Sequence, residues 1–291
     1  MRNALLETEF ASLLPAESFS RRGFLVTSIG AGFALAAEPV MAQAVITTET
    51  TGLLAGEVKI TVADGEMVAY RAAPQGAKSA PVVLVVSEIF GVHEHIADVC
   101  RRLAKQGYLA IAPELFARYG NARSYTNVPE LVANVVSKAD DSVVMSDLDA
   151  CVAWAAKNGG NTKRLGITGF CWGGRISWLY AAHRPNLTAA VAWYGKLDGI
   201  PTDLQPTYPI DVVTKIKTPV LGLYGATDQG IPLTDVDAMR QALEQQGSKS
   251  VIHVYPGVGH AFHADYRPSY RKAEAEDGWQ RLLAWFKANG V

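Results

Sequence analysis

Apolar and polar positions alternate from Glu57 to Ala73 on both sides of Asp64-Gly65, the pattern of two strands closed by a tight turn. The pattern then changes. From Pro81 to Val86 the chain is continuously apolar, as expected for a strand covered on both faces. Ile96 to Gln106 has helical spacing and stops at Gly107; Tyr108 to Ala112 reads as the next strand. A helix follows over Val143 to Lys157, then a strand over Arg164 to Thr168. Ala189 to Trp193, Pro219 to Tyr224 and Val251 to Tyr255 are further strands, with a helix from Leu233 to Gln246 between the last two. Ser269 to Asn289 closes the chain as an amphipathic helix. Strands and helices in alternation predict an α/β fold, a mostly parallel sheet with helices on both faces. In such sheets, sites lie beyond the carboxyl ends of the strands.

Composition narrows the partners. The 291 residues are 49% hydrophobic and 19% charged, with a formal net charge of −1. That suits a sizeable core and gives no basic footprint for nucleic acid, so a small-molecule partner is expected. No linker, repeat or low-complexity tract interrupts the body, which predicts one domain over residues 45–291, expected as a monomer. Residues 1–44 read differently. Arg21-Arg22 precedes a short Gly- and Ala-rich apolar run from Val26 to Ala37, and Ala42-Gln43-Ala44 is a small-x-small cleavage pattern. Together these predict a twin-arginine export signal, with the translocase as a passing partner and the periplasm as the destination. Cys100, Cys151 and Cys171 are too widely spaced for a disulfide framework or a zinc site. Cys100 and Cys151 lie in helical patterns and read as buried small hydrophobes.

Cys171 has a special context. The run Gly169-Phe170-Cys171-Trp172-Gly173-Gly174 follows a strand and opens a helix, with cysteine where a nucleophile elbow usually carries serine. Such an elbow turns so sharply that residues two before and two after the nucleophile must be small. Its partners should follow as acid and then histidine, each past a strand end. Asp228 comes after the strand ending at Tyr224, and His260 after the strand ending at Tyr255, in the required order. Taken alone, Asp228 also fits an Asx-turn. His93, His183 and His253 read as polar histidines outside this set. In the triad, His260 would activate the Cys171 thiol and Asp228 would orient the imidazole. Backbone N–H groups of Trp172 and of Ile89, on the loop after the Pro81–Val86 strand, would form the oxyanion hole.

Four runs, Ser87 to Val92, Pro113 to Arg118, Gly169 to Gly174 and Gly259-His260, together resemble the dienelactone hydrolase family over roughly Glu57 to the C-terminus. The resemblance implies an α/β-hydrolase fold, no metal and no cofactor, and opening of the lactone ring of carboxymethylenebutenolides to maleylacetates. It implies the triad Cys171, Asp228 and His260. It also implies that Glu88 interacts with the resting thiol and moves away when substrate arrives. Arg118 matches the first of two arginines that hold the substrate carboxylate. Where the second should stand, four residues past the histidine, this chain has Ala264, with His263 beside it and Arg267 three residues further on. Either Arg267 compensates, or the pocket takes esters without a carboxylate; Arg267 also has Glu274 and Glu276 as structural alternatives.

A thiolate nucleophile suits substrates with a good leaving group, such as the enolate of an enol lactone. Two further readings stand beside that one. The first is a broader esterase or thioesterase on neutral esters. The second is a non-catalytic binding or thiol redox-sensing protein on the same fold, which would not need all three triad residues.

Overall fold

The computed structural model describes residues 46–291. The Arg21-Arg22 pair, the apolar run from Val26 and the Ala42-Gln43-Ala44 pattern lie outside the described residues. The hairpin at the start is β1 (Leu53–Val62) and β2 (Gly65–Pro74), closed where Val62 pairs with Gly65. Then come β3 (Ala80–Val86), α1 (Glu94–Lys105), β4 (Leu109–Pro113), α2 (Val128–Asn134), α3 (Asp141–Lys157) and β5 (Gly160–Phe170). The second half holds α4 (Trp172–His183), β6 (Ala189–Trp193), β7 (Val220–Gly225), α5 (Leu233–Gln245), β8 (Val251–Tyr255) and α6 (Lys272–Asn289).

All eight strands form one sheet in the order β1-β2-β4-β3-β5-β6-β7-β8. The pairs β1–β2 and β2–β4 are antiparallel, and every other pair is parallel. Helices cover both faces, so the central strands are buried throughout; β4 and β6 expose no residue and Val82 to Val86 are completely enclosed.

The order of strands decides where a site can form. From β3 the chain steps outward to β4 and then returns past β3 to β5, so the winding reverses between these neighbours. Loops leaving β3 and β5 therefore diverge and open a crevice at the carboxyl edge. Val86, the last residue of β3, is in register with Gly169 near the end of β5. The loop carrying Glu88 and Ile89 thus starts beside the turn carrying Cys171.

The sequence expectation of helices and strands differs from the structure mainly at element ends. The strand expected from Arg164 begins at Gly160, and the helix expected from Val143 begins at Asp141, where the Asp140 side chain accepts from the Ser142 N–H. The short helix α2 was not anticipated. Its signal is local: Asn127 caps it by accepting from the Glu130 N–H, and Pro129 sits in its first turn.

Candidate active site

The turn at Cys171 is held in a conformation that L-residues rarely adopt, with φ 54° and ψ −115°. Its N–H donates to Trp193 O at 3.0 Å, and its carbonyl accepts from Gly174 N at 2.9 Å. These bonds pin the strained residue between the sheet and the first turn of α4. The glycines are a steric necessity. A Cβ on Gly169 would lie 2.1 Å from Gly173 O, and one on Gly173 would lie 2.3 Å from Val86 O. Only with both positions bare can α4 pack this closely against β3 and β5. Helix α4 starts at Trp172, so the N–H groups of Trp172 and Gly173 have no acceptor within the helix, beside the Cys171 side chain that precedes them.

Asp228 and His260 meet in this crevice. His260 Nδ1 and Asp228 Oδ2 are 2.6 Å apart, and both side chains are buried. The Asx-turn reading of Asp228 is present too, since Oδ1 accepts from Gly230 N at 2.9 Å. That second bond fixes the carboxylate so that Oδ2 is left for the imidazole. Burial alone would push His260 down; the Asp228 carboxylate outweighs it, with Cys171 adding to the effect, and holds the imidazole up at about 10. Its other nitrogen, Nε2, is buried and makes no hydrogen bond among the described residues. Cys171, Trp172, Tyr194, Ile231 and His260 line a small cleft, together with Arg175 and Lys196.

Other expected site residues fall out differently. Ile89 is completely buried in the β3 loop. That loop is clamped by Glu114, whose carboxylate accepts from the Val92 N–H at 2.9 Å. Phe116, from the same run as Glu114, packs on the Trp172 indole at 4.7 Å. Glu88 is buried, and it is the Tyr266 hydroxyl that donates to its Oε2; Arg267 Nε stands 4.0 Å away. Arg267 lies over the rings of Phe90, at 4.7 Å, and Tyr266, at 5.3 Å. It is thus placed with Glu88 rather than with Glu274 or Glu276.

Arg118 is not brought to the cleft. Its Nε and Nη2 donate to Asp64 at 3.0 and 2.7 Å, and Nη1 donates to the buried Asp147 on α3. Its guanidinium fork is committed to the β1–β2 turn and α3, which removes the geometry expected of a substrate clamp. Ala264 is fully buried and offers no polar group.

Sequence reasoning missed a buried polar cluster behind the site. His95 and His263 are enclosed and His93 is half-buried, with its Nε2 buried; His95 Nδ1 is 2.9 Å from Asp265 Oδ1, and Arg102 Nη2 donates to Asp265 Oδ2 at 3.0 Å. Burial first, and then the neighbouring His95 and Arg267 charges, push His93 down to about 3. His93 is therefore no exposed loop histidine, whereas His183 pairs with Asp149 at the surface. Cys100 and Cys151 are free and fully buried, as their helical patterns predicted. Among the described residues, no three histidine, cysteine, aspartate or glutamate side chains gather as a metal set, and no helix is long and apolar enough to cross a membrane.

A strand–elbow–helix turn at the reversal point of an eight-stranded sheet, with acid and histidine on later strand ends, defines an α/β hydrolase. The model of the dienelactone hydrolase family matches residues 67–290, and the chain belongs to that family. It is 56% identical over 286 residues to the "Putative carboxymethylenebutenolidase" of Methylorubrum extorquens, covering 98% of each chain. The protein of the same name from Escherichia coli K12 is 53% identical over 267 residues, 91% of this chain and 98% of that one. A crystal structure titled as a putative dienelactone hydrolase from Klebsiella pneumoniae superposes with a TM-score of 0.79 at 55% identity, covering 81% of this chain and 98% of the other.

Proposed function

We propose that this hydrolase opens an enol-lactone ring of the carboxymethylenebutenolide type, giving maleylacetate, with Cys171 as nucleophile, His260 as acid–base and Asp228 as its orienting carboxylate. The observation that carries the reading is the 2.6 Å bond from His260 Nδ1 to Asp228, with Nε2 left unbonded in the cleft that Cys171 lines. An imidazole held up at about 10 is protonated at neutral pH, so it can act as the acid that the departing oxygen needs. The thiolate would attack the lactone carbonyl, with the Trp172 and Ile89 N–H groups taking the developing oxyanion. His260 would then protonate the departing enolate oxygen, and water would hydrolyse the thioester.

A broader esterase on neutral esters is the second reading. It is favoured by one observation: Arg118 is tied to Asp64 and Asp147, and Ala264 carries no charge, so the resemblance's two-arginine clamp is lacking. Steady-state hydrolysis of cis- and trans-dienelactone beside 4-nitrophenyl acetate, with wild type and Cys171→Ala, separates the two. A preference for the dienelactone that vanishes in the variant supports the first reading; variant-sensitive turnover of the neutral ester alone moves the substrate class to general esters. A Cys171→Ala enzyme that keeps its turnover removes the triad.

Export by a twin-arginine signal in residues 1–44 is proposed from sequence pattern alone. Replacing Arg21 and Arg22 by lysine should then hold the protein in the cytoplasm, and unchanged export would remove the proposal.

A further inference from the structure

Three non-glycine residues among those described have positive φ: Cys171, Tyr194 and Ala261. The first is the nucleophile and the last adjoins His260. Backbone strain of this kind persists where surrounding structure over-determines it, and it concentrates at functional positions. Tyr194 immediately follows β6, with φ 38°. Its N–H donates to Leu223 O at 2.8 Å, which extends the β6–β7 pairing by one residue and locks the backbone there.

The side chain is fully buried, and its hydroxyl has no hydrogen-bond partner among the described residues. A buried donor left unmet is costly, so it is retained where something else satisfies it. The ring lies edge-on to the His260 imidazole at 5.0 Å and to Phe262 at 5.2 Å, and the residue lines the cleft with Cys171. Burial first, then the charges of Glu88, Tyr266 and Cys171, keep this phenol well above its usual value of 10 despite Arg267. It is a neutral donor at any working pH.

The carbonyl oxygen of a bound ester is served by backbone N–H groups on the elbow side. On the histidine side the atom that gains charge is the departing oxygen, which must come within reach of His260 Nε2. We propose that the Tyr194 hydroxyl donates a hydrogen bond to the departing alkoxide or enolate oxygen of the substrate. This rests on the Cys171–His260 reading of the reaction. Collapse of the tetrahedral intermediate keeps the C–S bond and breaks the C–O bond. The electron pair stays on the departing oxygen, which takes its proton from the His260 imidazolium. Tyr194 keeps its own proton and spreads the charge while transfer is under way. Poor leaving groups, which carry more charge on oxygen, gain most.

Acyl-transfer kcat/KM for an aryl acetate series tests this in wild type, Tyr194→Phe and Cys171→Ala. Phenylalanine keeps the ring contacts and removes only the hydroxyl. In Tyr194→Phe the preference for 4-nitrophenyl acetate over phenyl acetate should rise about threefold, a part of the roughly tenfold that one neutral hydrogen bond made in the transition state contributes. A merely structural role would lower both substrates alike and leave that ratio unchanged, which would overturn the proposal. Alkylation of Cys171 by iodoacetamide, whose iodide leaves without such a bond, should proceed at the wild-type rate in Tyr194→Phe. A slower alkylation would mean that Tyr194 acts through the nucleophile, and would also overturn it. An unchanged ratio beside an inactive Cys171→Ala fails this inference and leaves the triad standing. Activity surviving in Cys171→Ala fails the triad itself.

Discussion

Asp228 grips His260 from one side only: Oδ2 meets Nδ1 at 2.6 Å while Oδ1 is spent on the Gly230 N–H. The carboxylate cannot rotate without losing both bonds, so the tautomer and the ring plane of His260 are set together. In the proposed mechanism this arrangement would set the pH range. With the imidazole held up at about 10, the acid offered to the departing oxygen would be present through neutrality and lost only above that value. Acylation kcat/KM should therefore fall on the alkaline side near pH 10, with no inflection near 6.5. In Asp228→Asn the main attraction is gone, and the alkaline loss should move down toward the ordinary histidine value of 6.5. Its rate at neutrality should drop on the order of 100- to 10,000-fold. The stability linkage has the same sign. A raised imidazole contributes fully below pH 6.5, and that contribution is lost as pH rises through about 10. Urea unfolding across pH 6 to 10.5 checks this, and a profile with no decline over that interval would contradict it.

Gly173→Ala should damage fold and chemistry together. The added Cβ would lie 2.3 Å from Val86 O and 2.6 Å from Ser87 O, both backbone atoms that have no flexible end to give way. Overpacking of this sort costs roughly 1–3 kcal/mol or more, and about 2–4 °C of Tm per kcal/mol is expected for a chain of this size. The same clash pushes on the loop that carries Ile89. Calorimetry should thus show a lowered Tm, and the surviving folded enzyme a reduced kcat. A variant with wild-type Tm would mean that α4 has room to retreat from β3.

Arg118→Ala should behave as a stability variant. Removing the guanidinium strands Asp147, whose side chain is 3% exposed, whereas Asp64 at 60% returns to water at little cost. An unpaired buried carboxylate costs about 1–3 kcal/mol or more. Denaturant unfolding should register this loss. Kinetics with a length-matched pair, one neutral ester and one carrying a carboxylate, should show equal changes in KM. A selective rise for the anionic ester would return Arg118 to the substrate.

Arg118 also marks the limit of what the sequence makes legible. Its motif context matches the family run, yet its partners lie 54 and 29 residues away, on a turn and a helix that only tertiary packing brings together. Local patterns fared better where geometry is local. Ala189–Trp193 and Val251–Tyr255 coincide with β6 and β8 because continuous or alternating apolar runs leave little choice of boundary. The meeting of Asp228 with His260 was readable for a related reason. Each follows a parallel strand directly, and parallel strands deliver their ends to one edge. The cluster of His95, Asp265 and Arg102 had no such signature. Its members come from α1 and the loop after His260, and nothing in their spacing records that the loop folds back across the helix.

That cluster has its own consequence. Asp265 is buried and accepts from Arg102 and from the Ile46 N–H, besides pairing with His95. It therefore ties the start of the described chain and α1 to the loop carrying His260. Burial alone would raise its pKa; the His95 hydrogen bond and charge, with Arg102 behind them, win and leave it below its ordinary 3.8. A depressed carboxylate stabilises the fold above that ordinary value, and the contribution is lost as pH falls through the lower folded value. Asp265→Asn keeps the shape and removes the charge, so its cost should be present at neutral pH, about 1–3 kcal/mol, and should shrink in acid as wild type loses the same contribution. Paired urea melts at pH 7 and at steps descending from pH 3.8 read the difference as it shrinks. Because the loop links to His260, the variant should also lose kcat more than KM on a neutral ester. A stability gap that widens in acid would mean that Asp265 is neutral in the native protein, and its hold on Arg102 and His95 would then need another source.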